Sequence, residues 1–227
     1  MARKFSIYAL IFLVIILQLS SYFNPCSASN GSHKEFIRNS CRATSYPKLC
    51  LKSLARHASK IRGDPKLLAH TALNATFFAA KSTSRLLRDM SRIHRLKTNE
   101  EAAMTDCVAD ISDSMQKLRM SIEEMDREGD RVRAGGSDVL RVQMNDIQMW
   151  VNTALEEEET CMNALANIKI KAKMKNGVRR RIVKVAHLTS NALTLVKSFA
   201  LAPRNEKLPL KPLFSSRKYI EEGLLPY

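Results

Sequence analysis

Turn-forming residues are scarce in this chain, with seven glycines and seven prolines in 227 residues. No stretch pairs sustained strand alternation with a hairpin turn, which argues against a sandwich or barrel. The five histidines (His33, His57, His70, His94 and His187) are scattered and none falls at a metal-ligand spacing, so neither a metal nor a cofactor is expected. No Ser-His-Asp set or paired carboxylates have local support, and an enzyme needs such a positioned constellation. Acidic residues are also outnumbered, 22 against 37 Lys and Arg, for a formal charge of +15.

Only one long apolar run exists, Phe5–Leu19, and it follows Arg3 and Lys4. A membrane span needs roughly 20 apolar residues, so this run is short for an anchor. A positive start, an apolar middle and small residues at Cys26-Ser27-Ala28 describe a secretory signal peptide, 1–28, cut after Ala28. No membrane association is then expected after removal, and nucleic acid is a poor partner for an exported chain. Losing Arg3 and Lys4 leaves +13, a charge suited to acidic polymers or acidic partners. Asn30-Gly31-Ser32 and Asn74-Ala75-Thr76 are candidate glycosylation sequons on that route, at Asn30 and Asn74.

Removal of the signal also takes Cys26 and leaves Cys41, Cys50, Cys107 and Cys161. An even count in a secreted chain suggests two disulfides, although spacing alone does not choose among three pairings.

The remaining residues are rich in helix formers. Asp64-Pro65 opens a helix expected to reach about Ile93, with Leu68, Ala72, Ala75, Ala79, Leu86, Met90 and Ile93 on one side. Thr98 and Glu101 form an expected capping box. Behind it, Met104, Val108, Ile111, Met115, Leu118, Ile122 and Met125 step by four and three, a heptad seam typical of bundles. Gly129–Gly136 reads as a loop and Ser137 as the next cap. Leu140, Met144, Ile147, Val151, Ala154, Cys161, Leu165 and Ile168 continue the pattern, with Glu158 in the gap. A buried lone carboxylate is costly, so Glu158 is expected at a helix edge or paired. Gly177 is expected to end this helix or mark the turn after it. Val178, Ile182, Val185, Thr189, Ala192, Val196 and Phe199 define a fourth helix, stopped by Pro203.

The expected fold is therefore all-α: an up-down-up-down four-helix bundle with an N-terminal helical hairpin. Pro47 biases Tyr46 away from helix, which makes Ser45-Tyr46-Pro47 the hairpin turn. A Cys41–Cys50 bridge across that turn is easy. Cys107 beside one seam and Cys161 on the next can bridge neighbouring helices. Residues 29–201 form the domain, and 202–227 a proline-broken, flexible tail.

Several blocks carry a resemblance. Phe36-Ile-Arg-Asn-Ser-Cys41 through Pro47-Lys-Leu-Cys50, Asp106-Cys107-Val-Ala-Asp-Ile-Ser-Asp113, Trp150-Val-Asn-Thr-Ala-Leu into Glu159-Thr160-Cys161, and Leu188-Thr-Ser-Asn191-Ala-Leu193 resemble the plant invertase and pectin methylesterase inhibitor family. The resemblance runs from about Phe36 to Leu201. It implies a four-helix bundle with one disulfide in the hairpin and one in the bundle, and a secreted apoplastic or cell-wall protein that inhibits by capping an enzyme's cleft. Invertase inhibitors of this family insert a Pro-Lys-Phe loop, and that tripeptide is absent between Cys107 and Cys161. Pectin methylesterase is therefore the expected target, with acid invertase as the alternative.

Asp106, Asp110 and Asp113 form an acidic stripe and are candidate inhibitory contacts; the resemblance matches Asp113 to a contact place, while Ala109 and Gln116 stand where further acids are expected. Thr160 matches a threonine near the family's inhibitory surface. Trp150 beside Val151 is expected to be partly buried. Lys169, Lys171, Lys173, Lys175, Arg179, Arg180 and Arg181 form a basic run, with Lys184 beyond it. The run is a candidate grip on acidic pectin, against the plainer reading of solvated lysines. A wall protein that holds pectin without inhibiting is the competing class.

Overall fold

The computed structural model describes residues 26–93, 97–166, 168 and 170–202, with side chains described outside 26–30, 93 and 128–138. The expected signal run Phe5–Leu19, the tail 203–227, His94, Lys169 and the Asn30 side chain lie outside the described residues.

An N-terminal hairpin consists of α1 (Cys26–Arg42) and α2 (Pro47–Leu54), followed by a 3-10 turn (Ala55–His57) and the short α3 (Ala58–Ile61). Four long helices follow: α4 (Pro65–Ile93), α5 (Thr98–Asp126), α6 (Glu128–Ala166) and α7 (Ala172–Ala200). Among the described residues there is no strand, and no helix is long and apolar enough to cross a membrane. Each long helix packs on its sequence neighbours, and α4 closes the ring against α7. This is the up-down-up-down bundle.

Disulfides Cys41–Cys50 and Cys107–Cys161 tie the hairpin and the α5–α6 pair. Ile37 of α1, Leu54 of α2 and Ile61 of α3 belong to the same buried core as the bundle. Asn191 of α7 clamps the hairpin turn twice: its Oδ1 accepts from the Tyr46 amide at 2.9 Å and its Nδ2 donates to the Tyr46 carbonyl at 3.0 Å. The Tyr46 ring stacks on His187, 3.5 Å between centroids. Replacing Asn191 with alanine leaves both Tyr46 backbone groups without their side-chain partner. The expected loss is about 2 kcal/mol of unfolding free energy, read from denaturant titration with both disulfides intact.

Left-handed backbone at Arg62 (φ 49°) and Gly63 (φ 78°) turns the chain into α4. Asp64 then caps α4, its Oδ1 accepting from the amides of Lys66 and Leu67 at 2.7 and 3.1 Å. The buried face of α4 differs from the expected one. Leu73, Thr76, Ala80, Thr83 and Leu87 are buried, whereas Ala75, Ala79, Leu86 and Met90 are only half-buried. The threonines tolerate burial because their hydroxyls donate to carbonyls one turn back, Ala72 and Ala79, at 2.9 Å.

Three boundaries also correct the sequence reading. The cap of α5 is Lys97, whose amide donates to Glu100 Oε2 at 3.0 Å; Thr98 and Glu101 sit one place further in. The loop expected over Gly129–Gly136 is helical, since α6 begins at Glu128 and the reversal is confined to Arg127. Glycine weakens a helix by about 1 kcal/mol without forbidding it. Last, Gly177 lies inside α7, and α6 ends earlier, at Ala166. There Lys175 Nζ donates to the Ala166 and Ile168 carbonyls at 2.6 and 3.0 Å, satisfying the helix end.

Candidate functional site

The α5 seam is a strict three-four series: Met104, Cys107, Ile111, Ser114, Leu118, Ser121 and Met125 are all buried. The expected Val108, Met115 and Ile122 are half-buried on its flank. On α6 the matching series is Met144, Ile147, Val151, Ala154, Glu158, Cys161 and Leu165, all buried. The Cys107–Cys161 bridge pins these two antiparallel seams at one level.

Outward of the seams, the same heptad geometry sets Asp106, Asp110 and Asp113 of α5 beside Thr153, Glu157 and Thr160 of α6. Asp106, Asp113 and Thr160 are exposed, and Asp110 and Glu157 half-exposed. Partial burial raises the Asp110 carboxyl above the usual aspartate value, reinforced by repulsion from Glu157, Asp106 and Asp113. The structure thus draws a fourth carboxylate, Glu157, to the predicted stripe from the facing helix. The Thr160 hydroxyl donates to the Glu156 carbonyl at 2.9 Å and stays at the surface. Trp150 is half-buried along the same edge.

Behind this face lies Glu158, with no exposed surface. Its Oε1 accepts from Ser114 Oγ at 2.7 Å, and Thr189 Oγ1 lies 2.9 and 2.8 Å from its two oxygens. Glu158 was expected at a helix edge or paired; it is at the bundle centre, partnered by hydroxyls of α5 and α7 and, among the described residues, by no cation. Burial pushes its pKa up to about 8, against the opposing pull of the Ser114 and Thr189 hydrogen bonds.

Proton counting supports a neutral acid. Thr189 Oγ1 has one hydrogen, yet besides the two Glu158 oxygens it lies 3.1 Å from the Val185 carbonyl. A protonated Glu158 donates its O–H to Thr189, which then donates to Val185, while Ser114 donates to Oε1. Every group is satisfied. Ser114 and Thr189 were missed as partners, though the spacing of Cys107, Ser114 and Ser121 by sevens carried the signal.

The basic run divides. Lys171, Lys173, Arg179, Arg180 and Arg181 are exposed, but Lys175 is half-buried and occupied with the α6 end. Lys175 and Arg179 look toward α6, whereas Lys173, Arg180 and Arg181 line the α4 side. Asn74 is half-buried in mid-α4, its Nδ2 donating to the His70 carbonyl at 3.0 Å. No cluster of three metal-ligating side chains occurs among the described residues.

Residues 35–195 match the plant invertase/pectin methylesterase inhibitor family. The chain belongs to that family. It is similar to "Pectinesterase inhibitor 11" of Arabidopsis thaliana, 35% identical over 86% of this chain and 96% of that protein. "Pectinesterase inhibitor 10" of the same plant is 38% identical over 78% of this chain, which spans 55% of that protein's length. The "21 kDa protein" of Daucus carota is 33% identical over 87% of this chain and 97% of its own. In fold, the family bundle is similar to the crystal structure of mutant form A of a pectin methylesterase inhibitor from Arabidopsis. That match has a TM-score of 0.55 at 20% identity, over 73% of this chain and 95% of the other.

Proposed function

We propose that this protein is a secreted inhibitor of pectin methylesterase with no catalysis of its own, and that it covers the enzyme's substrate cleft with the α5–α6 face. The observation that carries the reading is similarity to relatives named as pectinesterase inhibitors, along nearly the full length of "Pectinesterase inhibitor 11", together with a bridged acidic face fit to meet a basic rim. In this reading 1–28 is the signal peptide, 29–201 the inhibitory domain and 202–227 a tail, and the protein acts in the apoplast. Acid invertase is the less favoured target. The chain has no Pro-Lys-Phe tripeptide between Cys107 and Cys161, and the stretch beginning at Glu128 is helix where an inserting loop would be needed.

Rim charges mainly set encounter rate and specificity. The double variant Asp106→Asn/Asp113→Asn should therefore weaken esterase inhibition about tenfold, the equivalent of about 1.4 kcal/mol, and reduce its salt dependence. Titration of oxidised protein into pectin methylesterase, with acid invertase in parallel, reads this directly. Unchanged inhibition by the double variant removes the face from the interface, and invertase inhibition without esterase inhibition reverses the target.

A further inference from the structure

On the side of the bundle opposite α5–α6, a groove of about 600 Å³ runs between α2, α4 and α7. Lys52 and Arg56 stand at its hairpin end, with Arg181 and Lys184 on the α7 wall. It continues past Phe78 into a depression lined by Lys81 and Arg85, where Asp89 is the single acid. These cations come from four separate elements, and none is ion-paired to a carboxylate among the described residues. The hydrogen bond from Arg56 Nε to His57 supplies no negative charge.

Phe78 sits in this basic setting with 62% of its surface exposed. Folding does not account for it, since the α4 core face is formed by Thr76 and Ala80 on either side. Its ring meets Phe77 edge-on, 5.7 Å between centroids, and Phe77 lies under the Arg119 guanidinium at 5.6 Å. The neighbouring ring thus braces Phe78. An open flat ring between two cationic walls offers a stacking face and paired charges together. A linear acidic saccharide has the matching features: an apolar C–H face on each sugar ring and carboxylates projecting along both sides. An acidic helix or a lipid surface has no flat sugar-like face to set on Phe78.

We propose that the α2–α4–α7 groove binds a polyuronate chain, with Phe78 stacking on a sugar ring and Lys52, Arg56, Arg85, Arg181 and Lys184 pairing with its carboxylates. A further depression lined by Lys173, Gly177 and Arg180 adjoins the groove through Arg181 and Lys184, so from Lys173 to Leu188 the α7 wall extends about 22 Å at 1.5 Å per residue, room for a short run of sugars. Because the groove lies across the bundle from the acidic face, both sites can be filled at once. An esterase that removes methyl groups from pectin leaves such a polyuronate, so the groove would hold the inhibitor where its target has acted. That last consequence rests on the proposed function; the binding itself does not.

The test uses the oxidised full domain and three immobilised polymers: polygalacturonate, highly methyl-esterified pectin and polyphosphate. Wild type should bind polygalacturonate and release it with salt; it should pass over the esterified polymer. Arg85→Gln/Arg181→Gln/Lys184→Gln should lose at least tenfold in affinity, with an unchanged melting transition. Phe78→Ala should lose several-fold on polygalacturonate and nothing on polyphosphate, which has charge but no sugar ring to stack. Absent wild-type binding, retention by the triple variant, indifference to Phe78→Ala, or preferential capture of acidic protein or nucleic acid each overturns the proposal. Both variants should inhibit the esterase as wild type does. Failed inhibition with intact polyuronate binding removes only the inhibitor reading.

Discussion

Glu158→Gln should flatten the fall in stability expected of the native protein between pH 4.5 and about 8. The sign follows from the raised pKa. In the unfolded chain Glu158 ionises near 4.5, whereas in the bundle it holds its proton up to about 8. Its contribution to stability is fully present below 4.5, declines as pH rises through the window and levels off above 8. At about 1.4 kcal/mol per pH unit the loss is on the order of 5 kcal/mol. Glutamine is neutral throughout and keeps the volume. Its amide can donate to Thr189 and its carbonyl can accept from Ser114, with one N–H left unmatched at a cost of about 1 kcal/mol. Below pH 5 the variant should be slightly weaker than wild type, and above pH 8 it should be several kcal/mol stronger.

Histidines bend the native profile the other way. Burial lowers His70 and His187, and burial followed by repulsion from Arg56 and Lys60 lowers His57. Their contribution is lost as pH falls. The difference between wild type and Glu158→Gln cancels these shared terms, so denaturant curves of both proteins at pH 5 and 8.5 isolate the carboxyl. Parallel profiles would mean Glu158 is ionised in the fold.

The same residue marks how far the sequence could be read. The α7 seam was legible throughout: Val178, Ile182, Val185, Ala192, Val196 and Phe199 are apolar and buried, and Thr189, in register with them, is buried too. On α5 only alternate seam positions were assigned correctly. Ser114 and Ser121 are polar, so the apolar pattern drew the eye to Val108, Met115 and Ile122 one step round the helix. Thr76 and Thr83 hid the α4 face in the same way. Their burial depends on hydroxyls bonded back to the helix or across it, which a hydrophobic pattern cannot register. The reversal at Arg127 was hidden for another reason: glycine is a weak helix former, and burial of the rest of α6 overrides that preference. At the candidate site the Asp106–Asp110–Asp113 stripe follows from helix spacing alone. Glu157 joins it only through the antiparallel register of α5 and α6, and the α2–α4–α7 groove only through tertiary packing.

Removing the Cys107–Cys161 bridge, as Cys107→Ala/Cys161→Ala, should cost about 4 kcal/mol and weaken inhibition by more than the stability loss alone explains. The bridge joins residues 54 apart, and closing a loop of that size restricts the unfolded chain by about 4 kcal/mol in the entropy model. Both cysteines are fully buried in the α5–α6 seam, and alanine leaves small voids that add to the loss. The bridge also pins the register that sets Asp110 against Glu157 and Ser114 against Glu158. Four carboxylates on one face repel, so without the pin the helices gain a reason to slide or splay there. The hairpin bridge Cys41–Cys50 closes a loop of only nine residues, and its removal should cost less while leaving the acidic face in place. Comparing the two double alanine variants, each at a denaturant-free temperature where it is fully folded by circular dichroism, separates scaffold from surface. Inhibition lost with the bundle bridge and kept without the hairpin bridge places the function on the α5–α6 face. Equal inhibition by both would detach the register of that face from what the protein does.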